Sequence, residues 1–343
     1  MNPKLRSAGA AAVTQARRHP EILRAVAIGV VAYIGFSIAE SGFSTINNLY
    51  TIVEGLIFLG LGALAFGLTM IAGELDLAVP STAAVAGVVA LLHTDTIITG
   101  LLMGILCGLI IGLVQGLLVW RIGLHSVVIT LGTSTALLGI AELFSPTTLV
   151  LRNLDLASDI QHRLFIFSPG SFIAIGLFGL AGFGLQRTRW GAEIRAIGGG
   201  RNEAVAAGIP MWRPIITVFT ASGVISAILG VLASLSVGSV GPPYFQNLLL
   251  QAVAAALIGG VSLYGGRGTA FGIAVGVLTL RFVISGMSLG GNKFFVINMA
   301  IGLLLLFVVV IEIASDRGAL ARYATYGKRL VTWERKTGTR AAE

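Results

Sequence analysis

Residues 55–73, GLIFLGLGALAFGLTMIAG, form an unbroken apolar run without a charged side chain. An α-helix rises 1.5 Å per residue, so about 20 such residues cross the roughly 30 Å hydrocarbon core of a bilayer. A strand of a membrane β-barrel would instead alternate apolar and polar residues. The run therefore predicts a membrane-spanning helix.

The whole chain has the same character, with 55% hydrophobic and 11% charged residues among 343. This balance predicts an all-α, polytopic integral membrane protein with about ten transmembrane helices, some of them short or broken. The first, third and eighth predicted spans are short for a full crossing. The ten spans are predicted at residues 25–40, 50–73, 77–92, 97–119, 124–145, 164–186, 212–236, 247–263, 269–288 and 294–314.

The basic residues predict the orientation of these spans. Nineteen of the 23 Lys and Arg residues fall in segments that share one side when the N-terminus is cytoplasmic. Positive residues accumulate on the cytoplasmic side of membrane proteins, so both termini are predicted to be cytoplasmic. The predicted parts are a cytoplasmic segment 1–24, a transmembrane domain 25–314 with a cytoplasmic loop 187–211, and a cytoplasmic tail 315–343. The net charge of +8 then reports orientation, and nucleic acid is not a predicted partner.

Motifs of catalysis are missing from the sequence. It contains no G-x-x-x-x-G-K-[ST] loop, no His and carboxylate cluster at metal-ligand spacing and no nucleophile elbow. The chain is therefore predicted not to be an enzyme, and no catalytic residue, metal or cofactor is assigned to it. Any ATP and Mg²⁺ would belong to a separate subunit.

The longest hydrophilic stretch is QRTRWGAEIRAIGGGRNEAVAAGIPMWR, residues 186–213. Asn202 can cap a short helix over EAVAA, and Gly208 can end it. A short helix of small residues at the membrane surface is suited to docking on another subunit. An interfacial helix that only anchors the fold is the alternative.

The segment GELDLAVPST predicts a break between the second and third spans. Pro80 cannot continue a helix from the preceding turn, whereas Ser81 and Thr82 can cap a new one. Asp76 can accept hydrogen bonds from the N–H groups that the break exposes. A structural or gating role for Asp76 is favoured over contact with a transported solute.

A second break is predicted at GGVSLYGGRGT, residues 259–269, whose glycines permit a tight reversal. Arg267 is predicted to cap the carbonyl end of the preceding helix. The residues assigned to gating or to the two helix breaks are Glu74, Asp76, Pro80, Gly265, Gly266 and Arg267.

Polar residues within or beside the spans are candidates for a translocation path. Neutral hydroxyls and amides exchange hydrogen bonds with a polar solute without trapping it, although each can equally join two helices. Arg281 is predicted to snorkel or to pair with an acid such as Glu54. The candidates are Asn47, Glu54, Thr130, Thr133, Ser134, Glu142, Gln251 and Asn298.

Four motifs in order carry a resemblance to a known family: GELDLAVPSTAAVAG, VITLGT, GAEIRAIGGGRNEAVAAGI and SLYGGRGTAFGIAVGVL. Together they resemble the permease subunit of ABC importers of the ribose, galactose, xylose and arabinose class, over residues 50–313. The resemblance implies a multi-pass protein of the bacterial inner membrane that passes a monosaccharide or related polyol. It also implies a second permease subunit, identical or different, a cytoplasmic ABC ATPase and a periplasmic sugar-binding protein, with membrane lipid around the spans.

The same resemblance places the coupling helix for the ATPase between Gly191 and Pro210. The coupling residues are then Gly191, Arg195, Gly198, Asn202, Glu203, Ala204, Ala207 and Gly208. Two alternatives remain at this stage. One is an ABC permease for branched-chain amino acids or nucleosides, and the other is an ion-coupled secondary transporter with Glu54, Asp76 or Glu142 as its ion site.

Overall fold

A computed structural model describes residues 20–93, 96–151, 160 and 162–315. In this part of the chain, eight apolar helical segments are long enough to cross a membrane, and two further apolar helices are shorter. The predicted all-α, polytopic architecture is confirmed. The helices are α1 (Pro20–Ala39), α2 (Ile46–Gly55), α3 (Leu61–Ile71), α4 (Val79–Leu92), α5 (Ile97–Ile122), α6 (Ser126–Phe144), α7 (Pro169–Arg187), α8 (Arg189–Gly199), α9 (Arg201–Ala206), α10 (Trp212–Val237), α11 (Leu248–Ile258), α12 (Ala270–Leu289) and α13 (Phe294–Ser315).

The second span forms the centre of the bundle. It runs from Ile46 to Ile71 as α2, one π-helical turn over Leu56–Gly60, and α3. Every residue of α3 is buried. By contrast, α1 and α13 leave most of their apolar side chains exposed, with Val31 at 70% and Leu306 at 63%. Exposed apolar surface of this kind is stable in contact with lipid and unfavourable in water.

Three spans were predicted to be short for a full crossing, and two of these predictions are confirmed. The third and eighth spans are the short helices α4 and α11. The prediction for the first span is wrong, because α1 begins at Pro20 and has 20 residues. Proline fits the first turn of a helix, where its missing N–H has no intrahelical partner, so the helix starts before the apolar run begins.

The predicted break at residues 72–78 is confirmed, since α3 ends at Ile71 and α4 begins at Val79. The prediction that Ser81 and Thr82 cap α4 is wrong, because both lie inside the helix and Ala78 occupies the cap position without a side-chain bond. The Ser81 hydroxyl donates back to the Ala78 carbonyl at 2.9 Å. Pro80 lies in the first turn of α4, where its lack of a backbone N–H leaves no donor unsatisfied.

Glycines allow α10 to approach α4 and α5 at backbone distance. A Cβ atom on Gly116 of α5 would lie only 2.8 Å from Ile216 Cα, and one on Gly230 would overlap the Ala83 backbone of α4. Small residues at such crossings permit the close van der Waals packing that associates helices in lipid. The interior is therefore built around the trio α4, α5 and α10.

At the far end from α8 and α9, a two-residue antiparallel ladder pairs β1 (Leu149–Val150) with β2 (Ser239–Val240). The Leu151 N–H also donates to the Gly238 carbonyl at 2.9 Å. A 3₁₀ turn over residues 242–245 follows β2 and leads into α11. This small ladder links the end of α6 to the end of α10.

Gly230→Ala is expected to destabilise the protein, because the new methyl group would overlap the Ala83 backbone. Overpacking of a close contact costs about 1–3 kcal/mol, which exceeds the roughly 1 kcal/mol that Ala gains over Gly in a helix. The measurement is thermal unfolding of the purified protein in detergent. Gly179→Ala in α7 is the matched control, since a Cβ atom there meets nothing within 4 Å. Equal midpoints for the two variants would contradict the packing described.

Candidate functional site

Three segments that are distant in sequence meet at one end of the bundle, which we call the loop end. They are the break 72–78, the reversal 259–269 and the surface helices α8 and α9. Gly266 donates its N–H to the Ile71 carbonyl at 2.8 Å. A Cβ atom on Gly265 would lie 2.7 Å from the Gly198 carbonyl oxygen and 2.8 Å from Gly73 Cα. We call this cluster of Gly73, Gly198, Gly265 and Gly266 the glycine junction.

The junction needs glycine for two physical reasons. Gly73, Gly265 and Gly266 have φ of 74°, 79° and 74°, in the left-handed region that other residues rarely adopt. Gly198 is not in that region, but a Cβ atom there would overlap the Ile71 carbonyl and the Gly266 nitrogen. The predicted tight reversal at residues 259–269 is therefore confirmed. The sequence did not indicate that α8 would pack directly on it.

An ion pair joins the break to α9. The Glu74 carboxylate is 2% exposed and pairs with the Arg201 guanidinium, which is 52% exposed. Burial raises the pKa of Glu74, while hydrogen bonding from Ser126 and the positive charge of Arg201 act in the opposite direction. A buried carboxylate requires such a partner, so Arg201 holds the first turn of α9 against the break.

Asp76 lies between α3 and α4, and its carboxylate is completely enclosed by the protein. Ala78 N–H donates to one carboxylate oxygen at 3.0 Å, and the Ser222 hydroxyl of α10 donates to the other at 2.7 Å. The predicted hydrogen bond to an N–H group of the break is confirmed. Burial raises the pKa of Asp76 to about 6, against the lowering effect of these two hydrogen bonds.

Helix α6 supports the same break. The Leu75 N–H donates to the Ser126 hydroxyl at 3.0 Å, and the Thr130 hydroxyl donates to the Leu75 carbonyl at 3.1 Å. Thr130 was predicted to line a translocation path, and its hydroxyl is instead engaged with the break. Two side chains of α6 thus satisfy the backbone N–H and carbonyl of Leu75.

The surface segment contains two helices where the sequence predicted one. Thr188 caps α8 through the Gly191 N–H, and Gly191 itself packs against the Leu185 backbone. The prediction that Asn202 caps the following helix is wrong, because α9 begins at Arg201 after Gly200 and Asn202 lies in the first turn. Gly200 can adopt the extended turn between the two helices, so the helix starts two residues earlier than a cap at Asn202 would allow.

Gly208 ends the segment as predicted, with φ of 80° and an N–H bond to the Val205 carbonyl at 2.9 Å. Among the predicted coupling residues, Gly191 and Ala204 are buried, Arg195 and Gly198 are half-buried, and the rest are exposed. The exposed ones form the outer surface of α9 and the turn after it: Asn202, Glu203, Ala207 and Gly208.

The predicted path residues are not gathered around one centre. Asn47 accepts from Arg163 at 2.7 Å on the exposed opposite end, and Glu54 accepts from Ser168, the N-cap of α7. Thr133 accepts from Gln115 of α5 at 3.0 Å.

The remaining candidates are spread over three helices. Ser134, Gln251 and Asn298 are half-buried on α6, α11 and α13, and Glu142 is exposed near the end of α6. Their role in a path stays a prediction.

The structure also shows the contacts of two arginines whose roles were predicted from the sequence. Arg281 on α12 donates to the Thr51 carbonyl at 2.7 Å, on the same helix as Glu54. The predicted cap by Arg267 is not seen among the described hydrogen bonds, where only its backbone carbonyl takes part, accepting from Ser262 N–H at 3.1 Å. Its side chain is exposed.

The fold and the loop end define a polytopic membrane protein with a structured surface segment packed on two helix breaks. The chain belongs to the family described as branched-chain amino acid transport system / permease component, whose family model matches residues 48–313. It is therefore a permease component of a transport system, as the four motifs predicted.

Similar proteins of known name are sugar and related ABC permeases. The chain is 30% identical to the L-arabinose ABC transporter permease protein AraH of Azospirillum brasilense, over 74% of this chain and 76% of that protein. It is 33% identical to the probable ABC transporter permease protein YphD of Escherichia coli K12, over 78% and 81%. The D-allose transport system permease protein AlsC of the same organism is 30% identical, over 73% and 78%. No solved structure matches the chain.

Arg201→Gln is expected to destabilise the folded protein by about 1–2 kcal/mol, because it leaves the Glu74 carboxylate buried without its cation. The expected loss of stability is small because half of the Arg201 side chain is exposed to solvent, which screens the ion pair. The double variant Glu74→Gln/Arg201→Gln is expected to recover part of the loss. A double-mutant cycle from thermal unfolding in detergent measures the coupling.

Arg189→Gln is the control for that cycle, since Arg189 is an exposed arginine at the start of α8. Its expected effect is within about 0.5 kcal/mol. Strict additivity of Glu74→Gln and Arg201→Gln would show that the pair contributes nothing to the attachment of α9.

Asp76 predicts a pH dependence of stability. Because its pKa rises from 3.8 to about 6 on folding, the folded protein binds this proton more tightly than the unfolded chain. Its contribution to stability is complete below about pH 4 and is lost as the pH rises to about 6, on the order of 3 kcal/mol. Asp76→Asn is expected to remove this slope while keeping an oxygen acceptor for Ala78.

The measurement is the unfolding midpoint from about pH 4 to about pH 8. Glu203→Gln removes an exposed carboxylate of α9 and should leave the slope unchanged. The same slope in wild type and Asp76→Asn would mean that Asp76 keeps its ordinary pKa.

Proposed function

We propose that this chain is the membrane permease subunit of an ATP-driven importer for a monosaccharide or related polyol. Membership of the permease family supports the role in transport, and the names of the similar arabinose and allose permeases support the class of solute. The chain would lie in a bacterial inner membrane beside a second permease subunit. A periplasmic binding protein would deliver the sugar, and a separate ABC ATPase would hydrolyse ATP.

The observation that carries this proposal is the glycine junction. Backbone atoms of α8 touch backbone atoms of both breaks without intervening side chains, as the Gly266 to Ile71 hydrogen bond and the Gly198 packing show. Closely packed backbones move as a unit, since no side chain is available to absorb a displacement. A force applied to α8 and α9 would therefore reach the ends of α3 and α11 and the start of α4.

The exposed surface of α9 is the part that a motor subunit would contact. Asn202, Glu203 and Val205 are exposed there, whereas Ala204 is buried against the bundle. The described basic residues of the loop end, including Arg121 and Arg213, support placing this end in the cytoplasm. In this arrangement ATP-driven closure of the motor would pull on α9, and the breaks would convert that motion into alternating access.

A second candidate solute class has one specific observation in its favour. The family description names branched-chain amino acids, while the similar proteins of known substrate name sugars. The decisive experiment is ATP-dependent uptake by proteoliposomes that contain the permease, its ATPase and its binding protein. L-Arabinose, D-allose and L-leucine are offered in parallel. Uptake of a sugar supports the proposal, and uptake of leucine alone would replace the solute class.

In the same vesicles, replacing residues 202–207 with a Gly/Ser linker is expected to reduce ATP-stimulated uptake to background. The physical reason is that the exposed surface of α9 and the link through Arg201 to Glu74 are then both uncoupled. Membrane insertion should stay near that of wild type, and the unfolding midpoint should fall no further than in Arg201→Gln.

The matched control is Arg189→Gln, which leaves α9 intact. Normal uptake by the linker variant would contradict the assignment of α9 to coupling. Uptake that persists without ATP and collapses with an uncoupler would instead identify an ion-coupled carrier.

A further inference from the structure

A groove of about 720 Å³ lies at the loop end, between α1, the end of α11, the reversal 259–269 and α13. Most of its wall is apolar, with Ile28 from α1, Leu257 from α11 and Ile311 from α13. None of the eight predicted path residues lines it. The groove is therefore separate from the proposed path.

The position of the groove determines what surrounds it. Its two long walls, α1 and α13, are the described spans with the smallest share of buried residues, and both expose apolar side chains, as at Val31 and Leu306. Such surfaces face lipid in a membrane protein. A groove between these two helices is therefore open to lipid acyl chains near the membrane surface, where the spans end.

The charged residues of the groove come from three separate elements. Arg24 of α1 and Arg267 of the reversal line it together with Glu312 of α13. The Glu312 carboxylate accepts a hydrogen bond from the Leu263 N–H at 3.1 Å, so it is directed to the reversal. Among the described residues that line the groove, there are two guanidinium groups and one carboxylate, a formal charge of +1.

This combination matches one chemical class. Guanidinium groups bind phosphate oxygens through paired hydrogen bonds, and basic pockets between transmembrane helices on the cytoplasmic side bind anionic lipid headgroups. We propose that the groove binds one anionic phospholipid, with its phosphate at Arg24 and Arg267 and an acyl chain along Ile28, Leu257 and Ile311. The mostly apolar wall suits an acyl chain better than the hydroxyls of a sugar.

The bound lipid would also stabilise the reversal 259–269. Arg267 follows directly after Gly265 and Gly266 of the glycine junction. Lipid occupancy therefore holds the segment against which α8 packs, and this goes beyond the proposed transport function.

The test is native mass spectrometry of the full-length, delipidated chain in detergent, titrated with phosphatidylglycerol or phosphatidylcholine. Wild type is expected to prefer phosphatidylglycerol. Arg24→Gln/Arg267→Gln should lose roughly 25-fold in affinity for that lipid, about 5-fold for each arginine, with little change for phosphatidylcholine. Ile28→Trp, which fills the apolar part of the groove, should weaken both lipids.

Arg121→Gln is the matched control, because Arg121 is an exposed arginine of the loop end outside the groove. It should bind both lipids as wild type does. If the double variant fails to fold, Arg267→Gln alone carries the test, since its exposed side chain can be replaced without opening the core.

Three outcomes would overturn the proposal. These are an unchanged phosphatidylglycerol affinity in the arginine variants, an unchanged affinity in Ile28→Trp, and full displacement of the lipid by millimolar inorganic phosphate. Loss of ATPase binding instead of lipid binding in Arg267→Gln would make the groove a protein interface, which also overturns it. The titration requires no transport, so its result is independent of whether the solute is a sugar.

Discussion

Direct backbone packing between the surface helix α8 and the two helix breaks is the constraint on which the rest of the loop end depends. Gly198 lies against the Ile71 carbonyl and the Gly266 nitrogen, and any side chain there would push these segments apart. Where helices associate through side chains, rotamer changes can absorb a small displacement. At this point no such freedom exists, so the surface helix and the membrane-embedded helices form one mechanical body.

The two carboxylates of the break bind different elements, although they are only two residues apart in the sequence. Glu74 faces outward to Arg201 of α9, and Asp76 faces inward to Ser222 of α10. In a regular strand two residues at this spacing would point to the same side, but residues 72–78 form turns and irregular backbone, so one short break attaches to two different elements. The same segment thus connects the surface helices to the most buried long helix.

Hydrophobic periodicity was enough to predict ten apolar segments, because lipid requires continuous apolar helices regardless of their partners. Local chemistry also predicted the breaks at Pro80 and at the glycines of the reversal, and the end of α9 at Gly208. The caps at Ser81, Thr82 and Asn202 were wrong, since Ala78 and Gly200 can start helices without side-chain caps. The partners Arg201, Ser222 and Ser126 lie 51–146 residues from the break, and no local pattern encodes such contacts.

The π-helical turn at Leu56–Gly60 has a consequence for the central span. A π turn holds one more residue than an α turn, so it offsets the angular positions of side chains before it from those after it. Glu54 consequently faces Ser168 and α7, while α3 presents its glycines to α10, α11 and α12. Shortening this turn by one residue would rotate α2 by about 100° relative to α3. The central span can therefore serve two different sets of neighbours, one on each side of the membrane midplane.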